Sequence, residues 1–202
     1  MGTEPASAAT TKGAQTRRAI LDAAIARFGR QGYRTTSVAD IARDASVGGT
    51  VAYAYFPNKE ALFFAAVDED AAGVIHEGLS TAFIETNVPH WWQTLIQTLV
   101  AALEDHPLAR RLLAGLEPEV TGRVLEMPAL AELRKACAEQ LRSEQLEGTV
   151  RPDIDLVTMA NGIVAIMLSL LMSVVQIGED AAAQYSDDIA AVFEAAIRRT
   201  PG

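Results

Sequence analysis

A chain of 202 residues, half of them hydrophobic, is long enough for more than one packed unit. Its single cysteine, Cys137, excludes an intrachain disulfide framework, and the polar start Met1 to Thr11 has no signal-peptide pattern, so a cytoplasmic protein is expected. The net charge of −9 looks unsuited to a nucleic-acid partner until it is divided: residues 1–60 hold eight basic and five acidic side chains, a balance of +3, and the remainder carries −12.

Residues 1–11 are rich in Ala, Thr and Ser and read as a loose tail. Ile20, Leu21, Ala24, Ile25 and Phe28 then recur at spacings of three and four, which predicts a first helix with one apolar side, stopped by Gly32. Ser37 followed by Asp40 has the spacing of a reciprocal helix cap. It opens a short helix whose apolar face is Val38, Ile41, Ala42 and Ala45. Ser46-Val47-Gly48-Gly49 interrupts the pattern as a turn or cap, and a second short helix is expected from Thr50 to Phe56. Pro57 stops that helix, and Asn58 caps the next one. Two short helices across a tight turn are the helix-turn-helix arrangement, whose second helix fits the DNA major groove.

The segment Thr35 to Leu62 resembles the TetR family of bacterial transcriptional regulators. The resemblance is carried by Thr35-Thr36-Ser37-Val38, Asp40-Ile41-Ala42 and Tyr53-Ala54-Tyr55-Phe56-Pro57-Asn58-Lys59-Glu60-Ala61-Leu62. It extends upstream to Thr16 through Ala24 and to Phe28-Gly29-Arg30-Gln31-Gly32-Tyr33. It implies an all-α protein with a three-helix DNA-binding head and a larger helical domain for effector binding and dimerisation. The expected boundaries are 1–60 for the tail and head and 61–202 for the body. The resemblance assigns Tyr53, Tyr55 and Lys59 to the phosphate backbone, with Thr36 and Ser37 adding contacts at a helix start. Lys12, Arg17 and Arg18 are candidates for a basic arm. The chain departs from its relatives at the turn, where many have Gly-Val-Ser-x-Gly-Thr and this one has Ser46-Val47-Gly48-Gly49-Thr50-Val51. No Arg, Asn or Gln lies between Val47 and Phe56, so bidentate reading of guanine or adenine by this helix is excluded. Thr50, Val51 and Ala52 offer a hydroxyl and methyl contacts, and Gly48 and Gly49 permit close backbone approach. Base discrimination is therefore expected to lean on Ala39, Arg43 and the arm.

Beyond residue 60, helices are expected over about 58–85, 90–105, 107–116, 118–125, 128–147, 153–178 and 180–199, with Asp153 a candidate cap. Leu156 to Gly178 has no charged residue and is long enough to span a bilayer. Asn161 and Gln176 within it, and the acidic residues flanking it, argue for a soluble helix covered on every side rather than a membrane anchor. By the resemblance, the last two helices pair with their twofold mates in a homodimer, and Gly162, Ala165, Ser169 and Ser173 would let two helices approach closely. Candidates for an effector pocket are Phe83, Trp91, Trp92, Leu95, Met127, Met159, Ile163 and Met167. Adjacent Trp91 and Trp92 point about 100° apart on a helix, so one of the two is expected at a cavity or interface. No catalytic constellation, metal-ligand spacing or nucleotide fingerprint occurs, and no cofactor is expected. The expected function is a repressor that binds a pseudo-palindromic double-stranded operator as a homodimer, without membrane association, and is released by a small, largely apolar effector. The alternative is a helical small-molecule carrier or enzyme with a vestigial head.

Overall fold

Alanine-rich sequence upstream of the first apolar stripe continues the helix instead of fraying, and α1 runs Pro5–Thr35. The expectation of a loose tail over residues 1–11 is corrected from residue 5 onward, because alanine has the highest intrinsic helix propensity. The structure is a computed structural model that describes residues 5–82, 91–118, 126–178 and 186–198. Gly32 breaks α1 with a φ of 81°, as its missing Cβ allows. After it come α2 (Val38–Asp44), α3 (Gly49–Tyr55) and α4 (Lys59–Ala82). The body continues with α5 (Trp91–Ala102), α6 (Pro107–Leu113), α7 (Pro128–Glu147), α8 (Leu156–Ile177) and α9 (Ser186–Ile197). Among the described residues there is no strand, only an isolated bridge between Val150 and Arg198.

Two apolar clusters organise the chain. The head cluster joins Ile20, Leu21, Ala24 and Phe28 of α1 to Val38, Ile41 and Ala42 of α2 and to Ala52 and Phe56 at α3. It continues past residue 60 into Leu62, Phe63, Ala66 and Val67 of α4, and takes in Leu108 and Leu112 of α6. Phe63 sits edge-on to Phe28 and Tyr33, with ring centroids 5.0 and 4.9 Å away. The body cluster is built on α4, α5, α7 and α8, closed by Phe193 and Ile197 of α9.

Local chemistry fixes the ends of these helices. Asn58 Oδ1 accepts the Ala61 N–H at 2.7 Å and starts α4. Gly148, at φ 82°, ends α7. The cap of α8 is Asp155, whose Oδ1 accepts the Thr158 N–H at 2.7 Å. Asp153, the expected cap, is instead paired with Arg151 at the exposed corner before it. Only one stripe of α8 is buried, namely Ala160, Ile163, Val164, Met167, Leu170 and Leu171. Asn161, Gly162, Ala165 and Ser169 on its other side are exposed, as is Val192 of α9.

Candidate functional site

The turn between α2 and α3 is made by Ser46, not by the glycines. Ser46 has φ 56°, and its N–H and that of Val47 donate to the carbonyls of Arg43 and Ala42 at 3.0 and 2.9 Å. Gly48 is the cap of α3 with an ordinary backbone (φ −70°, ψ 146°), and Gly49 is the first helical residue. Nothing among the described residues lies within 4 Å of a Cβ added at Gly49. Neither space nor backbone conformation inside the molecule demands glycine there.

The residues singled out from sequence fall into two groups. Ala39, Arg43, Gly48, Gly49, Thr50 and Tyr53 are exposed and share the outer face made by α2, the turn and α3. Ser37 caps α2, accepting the Asp40 N–H at 3.2 Å while its hydroxyl donates to Asp40 Oδ2 at 2.7 Å. The others turn inward. Thr36 is buried and its hydroxyl donates to the Gly32 carbonyl at 2.8 Å, so the expected hydroxyl contact to phosphate is corrected: this side chain closes the break in α1. Ala52 is fully buried and reads nothing. Tyr55 is half-buried against the head cluster, whereas Tyr53 is 53% exposed. Lys59 lies 4.4 Å over the Tyr33 ring and donates to the Arg34 carbonyl at 3.3 Å. An ammonium has three donors, so this tie leaves capacity for a phosphate.

Ion pairs hold this surface in shape. Arg27 of α1 grips Asp44 of α2 through two hydrogen bonds of 2.6 and 3.0 Å. Arg43 pairs with Asp40 at 3.0 Å, and Arg17 sits 5.2 Å over the Phe56 ring. The hydrogen bond from Arg27 holds the Asp44 carboxyl below the ordinary carboxylate range, and that from Ser37 does the same for Asp40. A carboxylate lowered by folding contributes stability that is present above its unfolded pKa and is lost as pH falls through the lowered folded value. Melting temperatures of wild type and Asp44→Asn are therefore expected to differ at neutral pH. The gap should close as the pH drops below about 4.

Behind the head, α6 is seated by its neighbours. Its own cap position, His106, makes no capping bond. Asp70 of α4, itself buried, accepts the N–H groups of Leu108 and Ala109 at 2.8 Å each, and its other oxygen meets His106 Nδ1 at 2.9 Å. Gly29 of α1 lets Pro107 come close: a Cβ there would lie 2.9 Å from the Pro107 ring. Glu117, just after α6, accepts the Tyr33 N–H at 3.1 Å and Arg111 Nε at 2.7 Å. The same helix walls a cavity of about 70 Å³ lined entirely by apolar side chains. Ala71, Val74 and Ile75 of α4 face Ala109, Leu112 and Leu113 of α6 across it, with Leu99, Leu130, Leu133, Val164 and Leu171 from α5, α7 and α8.

Met127 and Met167 line this cavity as expected from sequence. Trp91, Trp92, Leu95 and Ile163 do not; they are buried packing in the body cluster, and Met159 is half-buried against it. The expectation that one tryptophan is left over is corrected. α5 lies between α4 on one side and α8 with Phe193 of α9 on the other, so both rings are covered, and Trp92 meets Phe193 edge-on at 5.2 Å. Its indole N–H has no hydrogen-bond partner among the described residues. Phe83 lies outside the described residues. Burial pushes the Cys137 thiol up to about 12, which makes it inert packing.

Residues 20–66, covering the helix-turn-helix, match the family described as bacterial regulatory proteins, tetR family. The A-factor receptor protein of Streptomyces griseus is 32% identical over 155 residues, which is 75% of this chain and 52% of that protein. The chain thus spans about half the length of this curated relative. The fold is shared with a TetR-family transcriptional regulator from Mesorhizobium loti (TM-score 0.71, 22% identity, 93% of this chain and 98% of that one). It is also shared with the fatty acid degradation regulator FadR from Bacillus halodurans (TM-score 0.66, 20% identity, 88% and 93%). Residues 20–66 therefore carry the helix-turn-helix domain of the tetR family of bacterial regulatory proteins, set on an all-helical body with the fold of solved TetR-family regulators.

Proposed function

We propose that this regulator is a repressor that binds a pseudo-palindromic operator as a homodimer and releases it when a small, largely apolar effector enters the body. The observation that carries the reading is the double membership of α6. Leu112 belongs to the head cluster and also walls the apolar cavity. A cavity of about 70 Å³ is well below the several hundred Å³ that a typical ligand fills. An effector of that size must part α6 from α4 or α7. Because α6 is held to α1 at Gly29 and to Tyr33 through Glu117, it then moves the head. The effector acts by its differential affinity for the opened state. The 32%-identical relative is named as a receptor, which supports a body that responds to a ligand, and the all-apolar lining of the cavity supports an apolar one.

Dimerisation through α8 and α9 accounts for the exposed face of α8. Among the described residues, this helix alone is long and apolar enough to cross a membrane, and less than a third of its most apolar stretch is buried. Its exposed side is small and internally satisfied, with Ser169 and Ser173 hydroxyls donating to the carbonyls four residues back at 3.0 Å. A second copy covering it places two α3 helices on a twofold axis, for half-sites about 34–36 Å apart or a multiple of that. Sedimentation of the chain with DNA selected from random sequence tests this reading. Two chains per twofold-symmetric site support it, and one chain per asymmetric site refutes it.

A further inference from the structure

Resting on the reading of this chain as an operator-binding regulator, we infer that α3 recognises its operator through the 5-methyl groups of thymine, with Val51 as the principal specificity-determining residue. The exposed positions of α3 are Gly49, Thr50, Val51, Tyr53 and Ala54. They include no amide, carboxylate or guanidinium. Their polar capacity is one threonine hydroxyl and one phenol, and a phenol on a long arm serves a phosphate as well as a base. What the face offers in quantity is methyl groups, from Val51, Ala54 and Thr50. Val51 is 41% exposed, a branched apolar side chain left in water. The head also exposes Lys12, Arg17, Arg18, Arg30 and Arg43, which suits a polyanionic partner, and the only apolar feature DNA offers in its major groove is the thymine methyl.

The polar alternatives begin in other contacts. Arg43 is paired with Asp40 and stands beside Asp44, so its surroundings are locally acidic. Arg17 lies over Phe56, and Arg18 is held by Asp22 at 2.8 Å and by Glu69. These side chains suit positioning on phosphates, which carries no sequence information. Base reading is therefore assigned to the methyl face of α3, which revises the expectation that Ala39, Arg43 and the arm carry it.

The test removes the methyl without changing any hydrogen-bonding group. An operator is first selected from random DNA with the full-length chain, then resynthesised with deoxyuridine in place of each thymine in turn. At one or two symmetric positions per half-site, binding should fall about fourfold per methyl lost, as for one buried carbon. The Val51→Ala chain should bind the unmodified operator more weakly and lose that sensitivity, while circular dichroism reports an intact head. Tight binding to the unmodified operator with no sensitive thymine, or sensitivity that survives in Val51→Ala, overturns the inference and leaves the regulator reading standing. Failure to select any operator with a folded chain overturns both.

Discussion

Replacing Phe63 with alanine is expected to cost about 3–5 kcal/mol and to abolish operator binding before the body unfolds. Phe63 is fully buried and makes edge-to-face contacts with Phe28, Tyr33 and Phe64. Truncation removes the ring that fixes the angle between α1 and α4. The cavity it leaves is lined by residues of both helices, so it cannot collapse without moving one of them. For a chain of this length the loss corresponds to roughly 6–20 °C in melting temperature. The measurement is a thermal melt read by circular dichroism, paired with operator binding at 20 °C. Phe63→Leu keeps most of the volume and is expected to lose under half as much. A melting temperature within 2 °C of wild type for Phe63→Ala would show that the head is not held at this point.

Asp70→Ala should be nearly as damaging and differently informative. Its carboxylate satisfies two buried N–H groups at the start of α6, and each orphaned donor costs about 1–3 kcal/mol. A total of about 2–6 kcal/mol is expected. Asp70→Asn retains one acceptor oxygen and should recover part of it. Below its melting temperature, the Asp70→Ala chain keeps the Phe63 cluster but has α6 loosened from α4. Operator affinity should fall, and the response to an apolar effector should shrink more than the affinity does. Equal responses in wild type and Asp70→Ala would mean that α6 does not carry the signal.

These two positions also mark what the sequence disclosed and what it hid. The head was readable because its rules are local: Ser37 with Asp40, Gly32 and Asn58 each act within four residues of themselves. α7 occupies the residues expected of it, 128–147, since Pro128 and Gly148 bracket it. The role of Asp70 is not local, because the helix it caps begins 37 residues later. A signal was nevertheless present. Asp70 follows Ala66 and Val67 and precedes Val74 on the buried stripe of α4, where an acid needs a partner. The cavity was hidden for a related reason. It is assembled from single faces of five helices, and its walls on α4 and α6, Ala71, Val74, Ala109 and Leu113, look like ordinary core in one dimension. Adjacent helix positions point the two tryptophans about 100° apart, yet α5 is covered on both sides and packs both rings. Asp155 took the capping role from Asp153 because Arg151 claims the nearer acid.

Gly48 and Gly49 keep their significance but change their reason. They do not make the turn, which Ser46 makes at the cost of a left-handed backbone, and nothing among the described residues crowds Gly49. Together with the exposed Val51 and Ala54 beside them, they leave α3 with an outer surface that carries no charged side chain.

In the proposed mechanism the apolar cavity and the DNA-binding head are one coupled system through α6. Coupling between two binding sites is reciprocal: whatever factor an effector takes from operator affinity, the operator must take from effector affinity. The most direct test is a pair of titrations on the full-length chain with one apolar compound that binds it. Operator affinity is measured with the compound saturating, and compound affinity with the operator saturating. Both should weaken by the same factor, between about 5-fold and 150-fold, and Leu112→Ala should reduce both factors together. A compound that binds one per chain and lines up against Leu112 and Met167, yet leaves operator affinity unchanged, would contradict the account.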